Sequence, residues 1–232
     1  LVLWGLTALA LWMNLPRPVP LGGWVLGALL GLLLVAAGLA AAAPFGKGAP
    51  LLAVWTRPAR PVRQDVRLLA GSFLVGLALG ALLLGLIVFA LLPLEPKLAV
   101  RLAARLDYPA WWPFAVAFEA SVLEEIVFRL FLLSATVWLL GRGWRKDRKP
   151  ASPAVVWAAT GVSALAFALV HLPSWTAVTS PTPLLVSCVL GLNAIAGVVF
   201  GRVYWRWGIE AAIACHYAAD LIVQSLGPRL VG

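Results

Sequence analysis

Four ionisable side chains, Glu119, Glu124, Glu125 and Arg129, stand inside one long apolar run at residues 111–140. As a helix rising ~1.5 Å per residue that run would be ~45 Å long, against a hydrocarbon core of ~30 Å, so it spans a membrane with tilt or protruding ends. A charge at mid-bilayer costs at least ~2.5–3.5 kcal/mol on insertion scales, and residues kept there at that cost face the protein interior and mark function. Glu125 and Arg129 stand at i and i+4 with the acid N-terminal to the base, the better orientation for a helical ion pair. They are expected to be a structural pair. Glu124 lies about 100° further round the helix, so this arginine does not directly neutralise it. It is the first candidate for chemistry. The only two histidines, His171 and His216, fall in two other apolar runs, and Asp220 follows His216 by four residues on the same helix face. Carboxylates and imidazoles in this combination can take a proton from water and return it. The same donors would also suit Zn²⁺ with an open water position.

The elements that must position these groups are all helices. The chain of 232 residues is 62% hydrophobic and only 12% charged, with a mean hydropathy of +0.97, whereas soluble domains are roughly 25% charged. An all-α, polytopic transmembrane bundle is expected, with about seven helices (six to eight by length) in one integrated membrane domain. Within it, residues 1–110 supply the N-terminal helices and a basic linker, and residues 111–232 form the core that carries the polar groups. The net charge of +9 does not point to nucleic acid, because the bases sit in short loops between apolar runs. Orientation and anionic headgroups explain them. Cys188 and Cys215 both lie in spans and imply no disulfide framework.

In chain order, residues 1–15 are apolar but short for a span, and without a positive n-region they are not read as a signal peptide. Pro16-Arg17-Pro18 predicts a turn, and residues 19–43 a second helix rich in Gly and Ala that allows close packing. Residues 44–67 read as a basic linker with a short interfacial stretch at 51–55. A third span is expected at 68–92, then a mixed-charge segment at 93–110 with a short amphipathic helix. The fourth span is the charged run itself. A strongly basic loop follows at 141–152, and further spans at 153–172, 184–205 and 209–226. The basic loops alternate, so loops 2–3, 4–5 and 6–7 are expected in the cytoplasm together with the N-terminus.

At ~1.5 Å per residue Glu124 and His171 lie ~24 and ~27 Å from the cytoplasmic ends of their helices, a good match in depth. His216 and Asp220 lie only ~10–18 Å from the turn near Gly208, so their convergence needs a tilted last helix. Glu119, near the start of its span, reads as an interface residue, Cys215 as a small buried hydrophobe, and Gly197-x-x-x-Gly201 as a generic close-packing pattern.

Four segments together carry a family resemblance. Glu124-Glu125-Ile-Val-Phe-Arg129 matches E-E-x-x-x-R, and Phe167-Ala-Leu-Val-His171 matches F-x-x-x-H. Gly197-x-x-x-Gly201-x-x-Tyr204 and His216-Tyr-Ala-Ala-Asp220 match a glycine-rich third motif and H-x-x-x-N/D. In that order and spacing, residues 111–226 resemble the CAAX-prenyl-protease and bacteriocin-processing family of intramembrane endopeptidases, which includes the eukaryotic Ras-converting enzyme. The resemblance implies hydrolysis of a peptide bond of a membrane-associated peptide or protein, lipidated or not, by an activated water. Its catalytic residues would be Glu124, His171, His216 and Asp220: Glu124 with His171 would hold and deprotonate the water, while His216 and Asp220 would face the oxyanion. Phe167 and Tyr204 would be supporting residues, Tyr204 for the last helix across the turn that precedes it. Many relatives of the Ras-converting type carry Asn where this chain has Asp220, which cannot donate when ionised. It would then be protonated, or orient His216 across a helical turn. No cofactor is favoured; in a Zn²⁺-dependent variant the ligands would be the same four residues, although the H-E-x-x-H signature is absent. The rival readings are a non-catalytic membrane scaffold or immunity-type protein, and an ion-coupled transporter, which would show inverted repeats that this sequence lacks. The expected setting is a bacterial plasma membrane, with the lipid bilayer and a peptide substrate as partners.

Overall fold

The computed structural model describes residues 1–14, 21–54, 62–103, 106, 108–141, 151–177 and 179–231, with the backbone alone at 11–14, 21, 53, 54, 62, 63 and 101. Outside these residues lie the turn expected at Pro16-Arg17-Pro18, the middle of the basic linker, Arg105, Asp107 and the basic loop at 142–150. Among the described residues every regular element is helical. The long helices are α1 (Val2–Asn14), α2 (Leu21–Ala42) and α4 (Val62–Gly85), which runs on as a π-helical turn, Leu86–Leu91. Then come α6 (Trp112–Glu124), α8 (Pro153–Thr176), α9 (Pro183–Trp207) and α10 (Ile209–Val231). Two short helices lie between them, α3 (Pro50–Val54) in the basic linker and α5 (Lys97–Ala103) in the mixed-charge segment.

Four of these helical stretches are long and apolar enough to cross a membrane by length and composition alone: Gly22–Phe45, Gln64–Leu91, Pro153–Thr176 and Pro183–Trp207. The helix α1, with 13 residues, is too short to cross by itself. It pairs with α2, where the indole N–H groups of Trp4 and Trp24 donate to the Ala28 and Ala8 carbonyls. The charged run is not one uniform α-helix. After α6 the backbone widens into a π-helix, Glu125–Leu133, and returns to α as α7 (Ser134–Gly141). Such i→i+5 turns are rare and often sit at functional sites. The first motif lies on this one.

The polar helices are held inside the bundle by small residues on their neighbours. A Cβ on Gly76 of α4 would collide with the Cys215 carbonyl oxygen, and one on Gly80 would lie 2.5 Å from that of Ala219. So α4 lies directly on the α10 backbone beside His216. The glycine pair read from the sequence, Gly197 and Gly201, serves the α9–α8 contact, against Ala164 and Thr160. Loop contacts pair up at opposite ends of the bundle. Ile209 N–H donates to the Gly48 carbonyl, and Glu210 Oε1 accepts from Leu51 N and Leu52 N at 2.9 Å each. At the other end, Lys97 Nζ donates to the Ser180 carbonyl at 3.1 Å and Thr182 Oγ1 donates to Glu95 Oε2.

Candidate active site

The most buried layer of the site is built around a cation. Arg129 is fully buried, with its guanidinium 2.9 Å from Glu125 Oε1 and donating from Nη2 to the Gly197 carbonyl at 3.3 Å. Its central carbon lies 4.3, 5.3 and 5.9 Å from the ring centroids of Phe167, Phe200 and Phe128. An arginine suits such a place because its delocalised charge stacks on aromatic faces and is weakly hydrated. The same Glu125 oxygen accepts from His216 Nδ1 at 2.9 Å. Glu125 therefore joins two helices as well as answering Arg129.

This contact orients His216. A carboxylate accepts, so Nδ1 carries the hydrogen and Nε2 faces away from the ion pair. The imidazole is clamped flat against Phe200, with centroids 4.3 Å apart and planes within 18°, and Phe167 meets it edge-on at 5.8 Å. Asp220 is thus not what sets the ring's tautomer: its Oδ2 is 3.8 Å from Nε2, on the opposite side from Glu125. His171 is held in the same sense by its own helix, Nδ1 donating to the Phe167 carbonyl at 2.7 Å. Phe167 thus gives a ring to Arg129 and His216 and a carbonyl to His171.

With both imidazoles turned this way, their Nε2 atoms converge on one carboxylate. Glu124 Oε2 is 3.9 Å from His171 Nε2 and 3.8 Å from His216 Nε2. Those separations are too long for direct hydrogen bonds and suit a bridging water. All four residues, Glu124, His171, His216 and Asp220, line one cavity of about 390 Å³. Exposure falls steeply from the cavity inward: 28% for the Glu124 side chain, 24% for His171 and 4% for His216, and none for Glu125 and Arg129. His216 meets the other two residues from α10, which packs against α4 and α6, despite the short depth reckoned for it.

The structure adds contacts to two of the residues read from the sequence. Glu119 is a wall of the cavity, together with Glu124 and Asp220. Tyr204 reaches both ways: its hydroxyl lies 2.6 Å from Ser134 Oγ, at the end of the π segment, and its carbonyl accepts from Gly208 N at 2.8 Å in the turn before α10. The sequence reading also passed over Phe200, Asn193 and Gln224, the latter two being polar cavity residues in apolar helices. A scan for every amide in a span would have found both. It missed Ser163 as well, which reaches across from α8 to donate to the Phe128 carbonyl at 2.8 Å. Among the described residues no group of three His, Cys, Asp or Glu side chains is arranged to hold a metal ion.

Fold and cavity together define a polytopic helical membrane protein with an enclosed carboxylate–imidazole centre. Residues 106–222, half of the chain, match the family of type II CAAX prenyl endopeptidases, Rce1-like, and the chain belongs to that family. No curated protein and no solved structure matches it. Membership makes the chain a peptidase of the CAAX type, embedded in the bilayer and acting on a peptide substrate.

Proposed function

We propose that this protein is an intramembrane endopeptidase that cuts its substrate with a water activated by Glu124 and His171. The observation that carries the reading is the approach of both Nε2 atoms to Glu124 Oε2 at 3.8–3.9 Å inside the cavity. A water in that gap donates one hydrogen to Glu124 and the other to His171 Nε2, whose Nδ1–H is already committed to a carbonyl. Its lone pair is then free for the scissile carbonyl carbon. As the C–O bond forms, Glu124 takes the proton, and the oxyanion meets His216, protonated at Nε2 and balanced by Glu125 behind it. Collapse breaks the C–N bond while Glu124 hands its proton to the leaving amine. Asp220, across the same ring nitrogen, flanks the carbonyl side.

The test is cleavage of a membrane-proximal fluorogenic peptide by purified protein. Glu124→Gln is expected to lower kcat by ~10²–10⁴-fold, the usual worth of a general base, and His171→Ala by a comparable factor. Cleavage that survives both substitutions in well-folded protein rejects the mechanism and favours a scaffold. This route needs no metal, so dialysis against a chelator should leave the rate unchanged. Loss that Zn²⁺ alone restores would transfer the water to zinc held by the same four residues.

A further inference from the structure

Two uncharged polar side chains of the cavity wall take no part in the chemistry described above: Asn193 of α9 and Gln224 of α10. Their height in the bundle follows from the turn at Gly208. Phe200 and His216, eight residues before and after it, stack at 4.3 Å, so α9 and α10 fold back on each other. By the same count Asn193, fifteen residues before Gly208, is level with Val223 and Gln224, fifteen and sixteen after it. Gln224 also continues the face of α10 that carries His216 and Asp220, at successive steps of four residues. At ~1.5 Å per residue the two amides lie ~10–12 Å along their helices from Phe200 and His216. Apolar residues surround them. Leu98 of α5 packs with Val189, one turn before Asn193, and Leu102 lies against Gly227, one turn after Gln224.

The protein itself satisfies these amides poorly. Gln224 Oε1 is buried and has no hydrogen-bond partner among the described residues. Turning the amide over would put Nε2 in the same place, so one polar atom is stranded in either assignment. Asn193 donates from Nδ2 to the Val189 carbonyl at 2.8 Å, which pins the side chain to its own helix with its Oδ1 at the other end of the amide. A buried polar atom without a partner is costly, and a ligand that supplies the partner removes the cost. A peptide group donates through its N–H and accepts through its C=O, so a neutral Gln and Asn pair matches it better than an ionised side chain. An extended chain advances ~3.3 Å per residue, so ~10–12 Å is about three residues of substrate. We propose that Asn193 and Gln224 form a subsite for the substrate main chain, holding one peptide group about three residues from the scissile bond. This rests on the hydrolytic reading above and adds a selection to it. The substrate lies extended along the cavity past Asp220, and the residue at the amides is chosen for its main-chain N–H, which excludes proline there.

The test uses the full-length protein in detergent and end-capped fluorogenic peptides extended by one to four residues on either side of the scissile bond. Wild type is expected to gain ~2–10-fold in kcat/KM, mainly through KM, when the third residue is added on one side, the worth of a hydrogen bond. N-methylation of the peptide nitrogen there, or proline, should remove that gain, and this readout needs no variant. Gln224→Leu, and independently Asn193→Leu, should shrink the step. A purely structural role would lower the rates on short and long peptides alike. That outcome, or a step that survives N-methylation, overturns the proposal. Binding separates the subsite from the chemistry. Glu124→Gln protein should bind the long peptide ~2–10-fold more tightly than the short one, and the same protein carrying Gln224→Leu should bind the two equally. If wild type cuts the peptides with no step, the subsite falls and the hydrolytic reading stands. If the long peptide is favoured in binding but wild type cuts none, the subsite stands and the hydrolytic reading falls.

Discussion

At the scale of single residues, the behaviour of the site follows from how one buried cation is answered. Arg129 has Glu125 on one side and aromatic rings around it, and Glu125 in turn fixes His216. Removing one partner of a buried ion pair strands the other charge and costs ~3–5 kcal/mol. Arg129→Met should therefore lower stability by about that amount, read as thermal unfolding in detergent. Its activity should fall by more than the loss of folded protein explains, because an unanswered Glu125 no longer holds the imidazole in one tautomer. Activity in proportion to the folded fraction would assign Arg129 to folding alone.

At the scale of elements, the position of the last helix is set by two glycines on a helix outside the motif region. Gly80 touches the α10 backbone beside Ala219, one residue from Asp220. Gly80→Val must push the helices apart, and a displacement of ~1 Å can cost ~10²-fold in rate. A kcat loss of that order is expected with KM much less affected. Gly161→Ala on α8 serves as the control, since an added Cβ there meets nothing. The π segment offers a milder lesion. Ser163→Ala removes the donor to the Phe128 carbonyl and should cost ~0.5–1.5 kcal/mol of stability, measurable by denaturant unfolding.

At the scale of the whole molecule, contacts at each end of the bundle fasten loops that are far apart in sequence. Glu210, at the start of α10, accepts from two backbone N–H groups at the start of α3, 158 and 159 residues earlier in the chain. It acts as an N-cap supplied from another helix. Glu210→Ala should lower stability by ~0.5–2 kcal/mol, with Glu210→Gln milder because its amide oxygen can still accept. A melting temperature unchanged in the alanine variant would mean that α3 is held by its apolar side chains alone.

The sequence by itself determined the class of fold and which polar groups are candidates for chemistry, because an intramembrane Glu, His or Asp is too costly to be there without use. Helix boundaries followed from runs of apolar residues broken by Pro, Gly and charge, and the i, i+4 spacing alone was enough to pair Glu125 with Arg129. Only the tertiary structure decided which nitrogen of each imidazole faces the cavity, since that depends on acceptors from elsewhere: Glu125 on another helix for His216, and the Phe167 carbonyl for His171. The π turn was equally hidden, because 3.6-residue periodicity is assumed in reading a helix face. So was the α4–α10 contact, where glycine's role depends on what packs against it and leaves no trace in spacing along one chain.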